Sequence, residues 1–309
     1  MRIAFVFPGQ GSQSVGMLAA YAGHPQVAAT LEEASGVLGQ DLRALIENGP
    51  ESELNQTVNT QPIMLATDIA VLRAWRDAGG LEPSFLAGHS LGEYAALVAA
   101  GTLNFADALR AVRTRARAMQ DAVPEGVGGI AAILGLDEAG IRDACAEASQ
   151  NEVVEPANLN APGQIVIAGN RHAVERAIAA AKARGAKRAV MLPMSVPSHC
   201  SLMRPAATAL ATALGAIELA VPRIPVINNV DVASPQSADA IREALVKQLY
   251  CPVRWIEVVS SIVERGATHI VECGPGKVLL GMVKRIAPQT VALSLSSSSA
   301  IDETLAVLR

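Results

Sequence analysis

The stretch Phe85-Leu-Ala-Gly-His-Ser-Leu-Gly-Glu-Tyr94 constrains the fold of this chain more than any other. A short apolar run, read as a strand, ends in Gly88-His89-Ser90-Leu91-Gly92, and an alanine-rich segment opening with Glu93 and Tyr94 reads as a helix. The G-x-S-x-G spacing is that of a nucleophile elbow, a strained strand-to-helix turn that lifts a serine hydroxyl out of a sheet. Small residues two before and two after Ser90 avoid a clash there. The turn also leaves Ser90 at a helix N-terminus, where free backbone N–H groups can meet a developing oxyanion. Alone the five residues are a weak pattern, and an ordinary βα turn is the rival reading.

Composition agrees with α/β packing. Half the residues are hydrophobic and only 3% are aromatic, which suits aliphatic strands under alanine-faced helices. The 309 residues allow one large or two smaller domains. A formal net charge of −4, with no long basic or acidic block, argues against a nucleic-acid surface. Cys145, Cys200, Cys251 and Cys273 are scattered with no C-x-x-C pair, which points to a reducing compartment and no structural zinc. The strand-like Arg2-Ile-Ala-Phe-Val-Phe7 leads one to expect no signal peptide. No apolar run reaches the roughly 18 residues of a membrane span. A cytoplasmic protein, monomeric and without membrane or nucleic-acid partners, is the expectation.

Pro8-Gly-Gln-Gly-Ser-Gln13 is a glycine-rich turn after the first strand. A dinucleotide loop would need a glycine where Ser14 stands and an acidic residue after the next strand, and both are missing. The alternative is close backbone approach to a reactive group such as Ser90, with glycines on both sides leaving the Gln10 N–H accessible. The region from Thr30 to Arg76 reads as helical, broken near Asn48-Gly-Pro50 and again at Thr60-Gln-Pro62, with Gln61 as a cap or local loop residue. From Phe105 to Val123, Ala108, Leu109, Val112, Ala116, Met119 and Val123 share one helical arc. Arg110, Arg113 and Arg117 lie well off it and read as solvated. Arg115 lies at its edge, about 20° from Ala108. A partly buried guanidinium needs an anionic or polar partner, either a neighbouring Asp or Glu or a substrate carboxylate.

Pro124-Glu-Gly-Val-Gly-Gly129 marks a composition break. Strands at 130–134, 153–158, 164–168 and 186–192, with helices at 137–149 and 171–184, give β-α-β-β-α-β, the ferredoxin-like arrangement. The expected organisation is a large domain of residues 1–125 and 197–309, with a small domain of 126–196 inserted and the substrate cleft between them. At the re-entry, Pro197 and Ser198 signal a helix start, which sets His199 in a first turn. There the helix dipole disfavours the imidazolium, as a general base requires. A hydrogen-bonded structural histidine is the rival reading. Further on come a strand at 223–228, a helix at 238–250, a strand at 269–272 and a βα corner at Cys273-Gly-Pro-Gly-Lys277.

Several segments occur together in one order: Phe7-Pro-Gly-Gln-Gly-Ser-Gln13, Gly88 to Tyr94, Arg115 with Met119-Gln120, Ser195-Val-Pro-Ser-His199, Gln248-Leu-Tyr250 with Pro252, and Gly274-Pro-Gly276. In this the chain resembles, over essentially its whole length, the malonyl-CoA:acyl carrier protein transacylase family of fatty acid synthesis. The resemblance implies an α/β-hydrolase-like large domain with an inserted ferredoxin-like (βαββαβ) small domain. It implies that Ser90 is the acylated nucleophile and His199 its base and acid, with the Gln10 and Leu91 N–H groups as the oxyanion hole. Arg115 would bind the malonyl carboxylate, and the Gln248 main-chain carbonyl would orient the histidine in place of a triad aspartate. Malonyl-CoA and acyl carrier protein are the implied substrate and partner, with no cofactor or metal. Polyketide synthesis, malonate decarboxylation and simple serine hydrolysis are the rival settings for the same elbow. Lys187-Arg188 and Lys284-Arg285 are candidates to receive the acidic carrier.

Overall fold

Among the described residues, nine strands divide into two sheets. In chain order they are β1 (Ile3–Phe7), β2 (Phe85–Gly88), β3 (Gly128–Leu134), β4 (Val154–Ala161), β5 (Gln164–Asn170), β6 (Arg188–Met191), β7 (Val226–Ile227), β8 (His269–Glu272) and β9 (Val291–Ser294). The computed structural model describes residues 1–194 and 196–309, so Ser195, the first residue of the Ser195–His199 motif, lies outside the described residues.

The larger sheet runs β7-β2-β1-β8-β9 and is parallel throughout. β1 is buried at all five positions because helices cover both faces, which explains why it reads as an unbroken apolar run rather than an alternation. Its neighbours β2 and β8 pair with it in register, and all of them end on one edge. The Gly9–Gln10 turn, Ser90, Asn229 and the Gly274–Gly276 corner therefore meet at the C-terminal edge of the sheet, where open α/β sheets place ligands. Glu272 holds that corner by accepting from the Leu279 and Leu280 N–H groups that open the helix Val278–Ile286.

The smaller sheet runs β4-β5-β3-β6, antiparallel, with the helices Glu138–Ser149 and Arg171–Ala183 packed on one face. This is the ferredoxin-like order. Its core is its own, built from Ile133, Ile141, Leu159, Ile165, Ile167 and Val174. β4 also joins the larger body: Leu159 N–H donates to the Val253 carbonyl and Val253 N–H to the Ala157 carbonyl, both at 2.9 Å.

Four expectations need correction. The helix expected to break at Thr60-Gln-Pro62 runs unbroken as Thr57–Asp77, with Pro62 inside it and Gln61 buried. Proline costs that helix one ladder bond, but burial on nearly every face outweighs it, and the Thr60 hydroxyl turns to the Leu54 and Gln56 carbonyls. The strand expected at 223–228 shrinks to two residues between Pro225 and an Asn228 turn back to Ala233. His199 does not sit in a helical turn: it has φ 63°, and the regular helix begins only at Arg204 after a short 3₁₀ turn. Arg113 is half-buried and donates to Gln40 Oε1 at 2.6 Å rather than standing free in solvent.

Candidate active site

Ser90 occupies the turn between β2 and the helix Gly92–Ala99 with φ 53°, a left-handed conformation that a serine adopts only when the surroundings enforce it. The enforcement is visible on both sides. A Cβ on Gly88 would overlap the Gly92 carbonyl carbon, and one on Gly92 would overlap the Phe7 carbonyl oxygen. Successive bonds from Gly92 N–H to His89 O, Glu93 N–H to Ser90 O and Tyr94 N–H to Leu91 O wind the turn into the helix. Asn229, buried after β7, clamps the elbow from below. Its Oδ1 accepts the Ser90 N–H and its Nδ2 donates to the Gly88 carbonyl, each at 2.7 Å.

The histidine faces that serine. His199 Nδ1 lies 2.7 Å from the Gln248 carbonyl oxygen, which can only accept, so Nδ1 carries the proton. Nε2 is then the free acceptor, 2.7 Å from Ser90 Oγ, and the serine O–H donates to it. A second bond, from His199 N–H to Leu249 O at 2.9 Å, holds the backbone in its positive-φ turn. Burial, with the Arg115 charge beside it, pushes the imidazole down to about 3, so the ring is neutral across the working pH range. The neutrality expected from a helix dipole thus comes from enclosure and a neighbouring cation.

Arg115, on the helix Phe105–Ala122, is 1% exposed. Nη1 donates to Gln61 Oε1 at 2.7 Å, and Nη2 reaches Gln248 Oε1 at 3.1 Å and Ser90 Oγ at 3.3 Å. Among the described residues no carboxylate lies within salt-bridge distance of it, and its Nε has no partner. Of the two readings open from sequence, a direct salt bridge to a neighbouring Asp or Glu is absent among the described residues, and Glu93 acts on Arg115 only across the Gln248 amide. A buried guanidinium held by neutral amides beside a nucleophile can pair with an anion.

Gly9 lies against the elbow: a Cβ there would stand 2.5 Å from the His89 carbonyl oxygen and 3.6 Å from the Leu91 nitrogen. The absence of a side chain lets the Gln10 turn sit beside Leu91, and Gln10 Nε2 ties the turn to Thr57 Oγ1 at 3.2 Å. Among the described residues neither the Gln10 nor the Leu91 N–H has a hydrogen-bond partner. These groups border a cavity of about 310 Å³ that also takes in Ser90, Arg115 and His199, roofed by Ile130, Val166 and Leu192 of the smaller body. Asn160 of β4 reaches down from that roof, its Oδ1 2.8 Å from His89 Nε2.

Sequence reasoning missed Gln61, Asn160 and Asn229, and saw Glu93 only as a helix opener. Glu93 is buried, and its Oε2 accepts from Gln248 Nε2 at 2.8 Å and from Asn229 N–H at 3.0 Å. Gln248 offers more than its carbonyl, since its side chain meets Arg115, Glu93 and the Ser90 carbonyl together. The arrangement can deprotonate Ser90, stabilise an oxyanion with two backbone donors and pair an anionic group with Arg115.

The model of the acyl transferase domain family matches residues 4–299. The chain is 55% identical over 305 residues to a malonyl CoA-acyl carrier protein transacylase of Escherichia coli (strain K12), covering 98% of this chain and 99% of that one. It is 43% identical over 310 residues to the protein of that name from Bacillus subtilis (strain 168), covering 100% and 98%. Among solved structures, the acyl-carrier-protein S-malonyltransferase of Burkholderia pseudomallei 1710b matches with a TM-score of 0.97 at 55% identity, over 99% of this chain and 100% of that chain. A malonyl-transacylase solved in complex with a type II PKS acyl-carrier protein matches with a TM-score of 0.98 at 53% identity, with the same coverage.

Proposed function

The chain belongs to the acyl transferase domain family, among its malonyl CoA-acyl carrier protein transacylases, and from this we infer that it carries malonyl from malonyl-CoA to the phosphopantetheine thiol of acyl carrier protein on Ser90. It supplies fatty acid synthesis. In the first half-reaction the Ser90 hydroxyl gives its proton to His199 Nε2 as its oxygen attacks the thioester carbonyl. The tetrahedral oxyanion meets the N–H groups of Gln10 and Leu91. The C–S bond then breaks, and the coenzyme A sulfur leaves with the proton from His199. In the second half the carrier thiol gives its proton to His199, attacks the malonyl-serine ester and regenerates the Ser90 hydroxyl. Each backbone donor lowers the barrier by about 3 kcal/mol. Serine, histidine, arginine and backbone account for every step, so the scheme calls on no cofactor.

Arg115 carries the reading. A hydrolase needs the elbow and the base, but gains nothing from a buried guanidinium beside the nucleophile that no carboxylate among the described residues contacts directly. Malonyl brings the missing anion. The free thiols Cys145, Cys200, Cys251 and Cys273 suit the reducing cytoplasm, and among the described residues no helix is long and apolar enough to cross a membrane. The test loads the protein with malonyl-CoA, removes excess thioester and adds phosphopantetheinylated carrier. Malonyl on the carrier thiol is the expected product. Rapid release of free malonate with nothing on the carrier contradicts the reading.

A further inference from the structure

Gln248 sits at the centre of the site, and what orients it lies one layer deeper. Its carbonyl receives the His199 Nδ1 proton, its Oε1 receives Arg115 Nη2, and its Nε2 donates to Ser90 O and to Glu93 Oε2. An amide can turn over and exchange its oxygen for its NH₂. Turned over, it would point donors at Arg115, which has only donors to offer. A carboxylate behind the amide forbids that, because an ionised carboxylate only accepts. Glu93 stands in that place, and its second contact, from the Asn229 N–H, binds it to the residue that clamps Ser90. Its charge, like the Tyr94 hydroxyl, also acts on Arg115, with which it is linked across the Gln248 amide.

We propose that Glu93 is the anionic positioning residue of this site, acting through Gln248 to aim Arg115 and to favour the imidazolium that forms at His199 during acyl transfer. The inference rests on the acyl-serine reading above. It gives the site a carboxylate one residue farther from the histidine than a triad aspartate would stand, relayed by an amide and a peptide carbonyl. Burial pushes the Glu93 carboxyl up to about 7, against the opposing hydrogen bonds from Gln248 and Asn229. The ionisable groups acting on it are Arg115 from the helix Phe105–Ala122 and Asp231 after β7, with Tyr94 beside it on its own helix. His199 stays neutral throughout this range. A limb in the acylation rate near pH 7 therefore belongs to Glu93, with the faster form at higher pH.

The variant is Glu93→Gln. Both contacts of Glu93 fall on Oε2, so a glutamine oxygen can keep them. The charge is lost, and with it the acceptor-only hold on the Gln248 amide. Single-turnover acylation by malonyl-CoA is measured from pH 5.5 to 8.5 in the wild-type protein and the variant, with melting temperature as a check on folding. Wild type rises through a midpoint near 7; Glu93→Gln runs flat, about tenfold or more below the wild-type plateau. A limb that survives Glu93→Gln, or a variant as fast as wild type, overturns the proposal. If the variant does not fold, the wild-type profile decides together with ¹³C-glutamate spectra. A carboxyl resonance titrating with the acylation midpoint supports the proposal, and a flat wild-type profile overturns it. Failure of the wild-type protein to form any malonyl-enzyme is a different result, and counts against the acyl-serine reading itself.

Discussion

The Arg115 guanidinium meets Gln61, Gln248 and Ser90, none of them charged, and lies close enough to His199 to depress its basicity. A malonyl carboxylate gives that guanidinium its counter-ion as the correct acyl group arrives, while burial keeps the imidazole neutral. Acetyl leaves the cation unpaired. Arg115→Ala is therefore expected to cost about 3 kcal/mol toward malonyl-CoA, roughly a hundredfold in kcat/KM. Toward acetyl-CoA it is expected to be neutral or improving. Steady-state kinetics with both thioesters checks this, and a malonyl-to-acetyl ratio unchanged by the substitution contradicts it.

Two turns at the C-terminal edge of the parallel sheet, one after β1 and one after β2, must touch for the oxyanion site to exist. Gly9 is where they touch. In Gly9→Ala the new methyl meets the His89 carbonyl oxygen at 2.5 Å, too close to persist, so the Gln10 turn moves away from Leu91. Losing one oxyanion donor lowers the single-turnover acylation rate about a hundredfold while KM changes little. A Gly9→Ala protein with wild-type acylation would remove the Gln10 N–H from the scheme. The same turns show what could be read without coordinates. The elbow and the Gly9–Gln10 turn are each written in a few consecutive residues, and the βαββαβ order in one continuous segment. Gln61, Asn160 and Asn229 are not, because each matters through a partner 54, 71 or 139 residues away. Gln61 was further disguised by Pro62, which reads as a helix boundary but is absorbed by burial of the whole helix Thr57–Asp77. The charge state of His199 was legible and its cause was not, since enclosure is a property of packing.

The smaller body roofs the cleft with Ile130 and Val166, sends Asn160 to His89, and is fastened below by Arg285, whose Nη1 donates to Gln164 Oε1 at 2.6 Å and whose Nη2 reaches the Pro162 carbonyl. Arg285 is thus a tether between the bodies, and Lys284, Lys187 and Arg188 are exposed. Both half-reactions pass through one covalent state inside this cleft, and that state is what the account stands on. Intact mass spectrometry after brief exposure to malonyl-CoA, on the wild-type protein and on Ser90→Ala, tests it most directly. The account predicts one malonyl adduct on wild type, mapped to Ser90, and none on Ser90→Ala. An adduct that persists in Ser90→Ala, or a wild-type protein that turns over malonyl-CoA without ever carrying malonyl at Ser90, would contradict it.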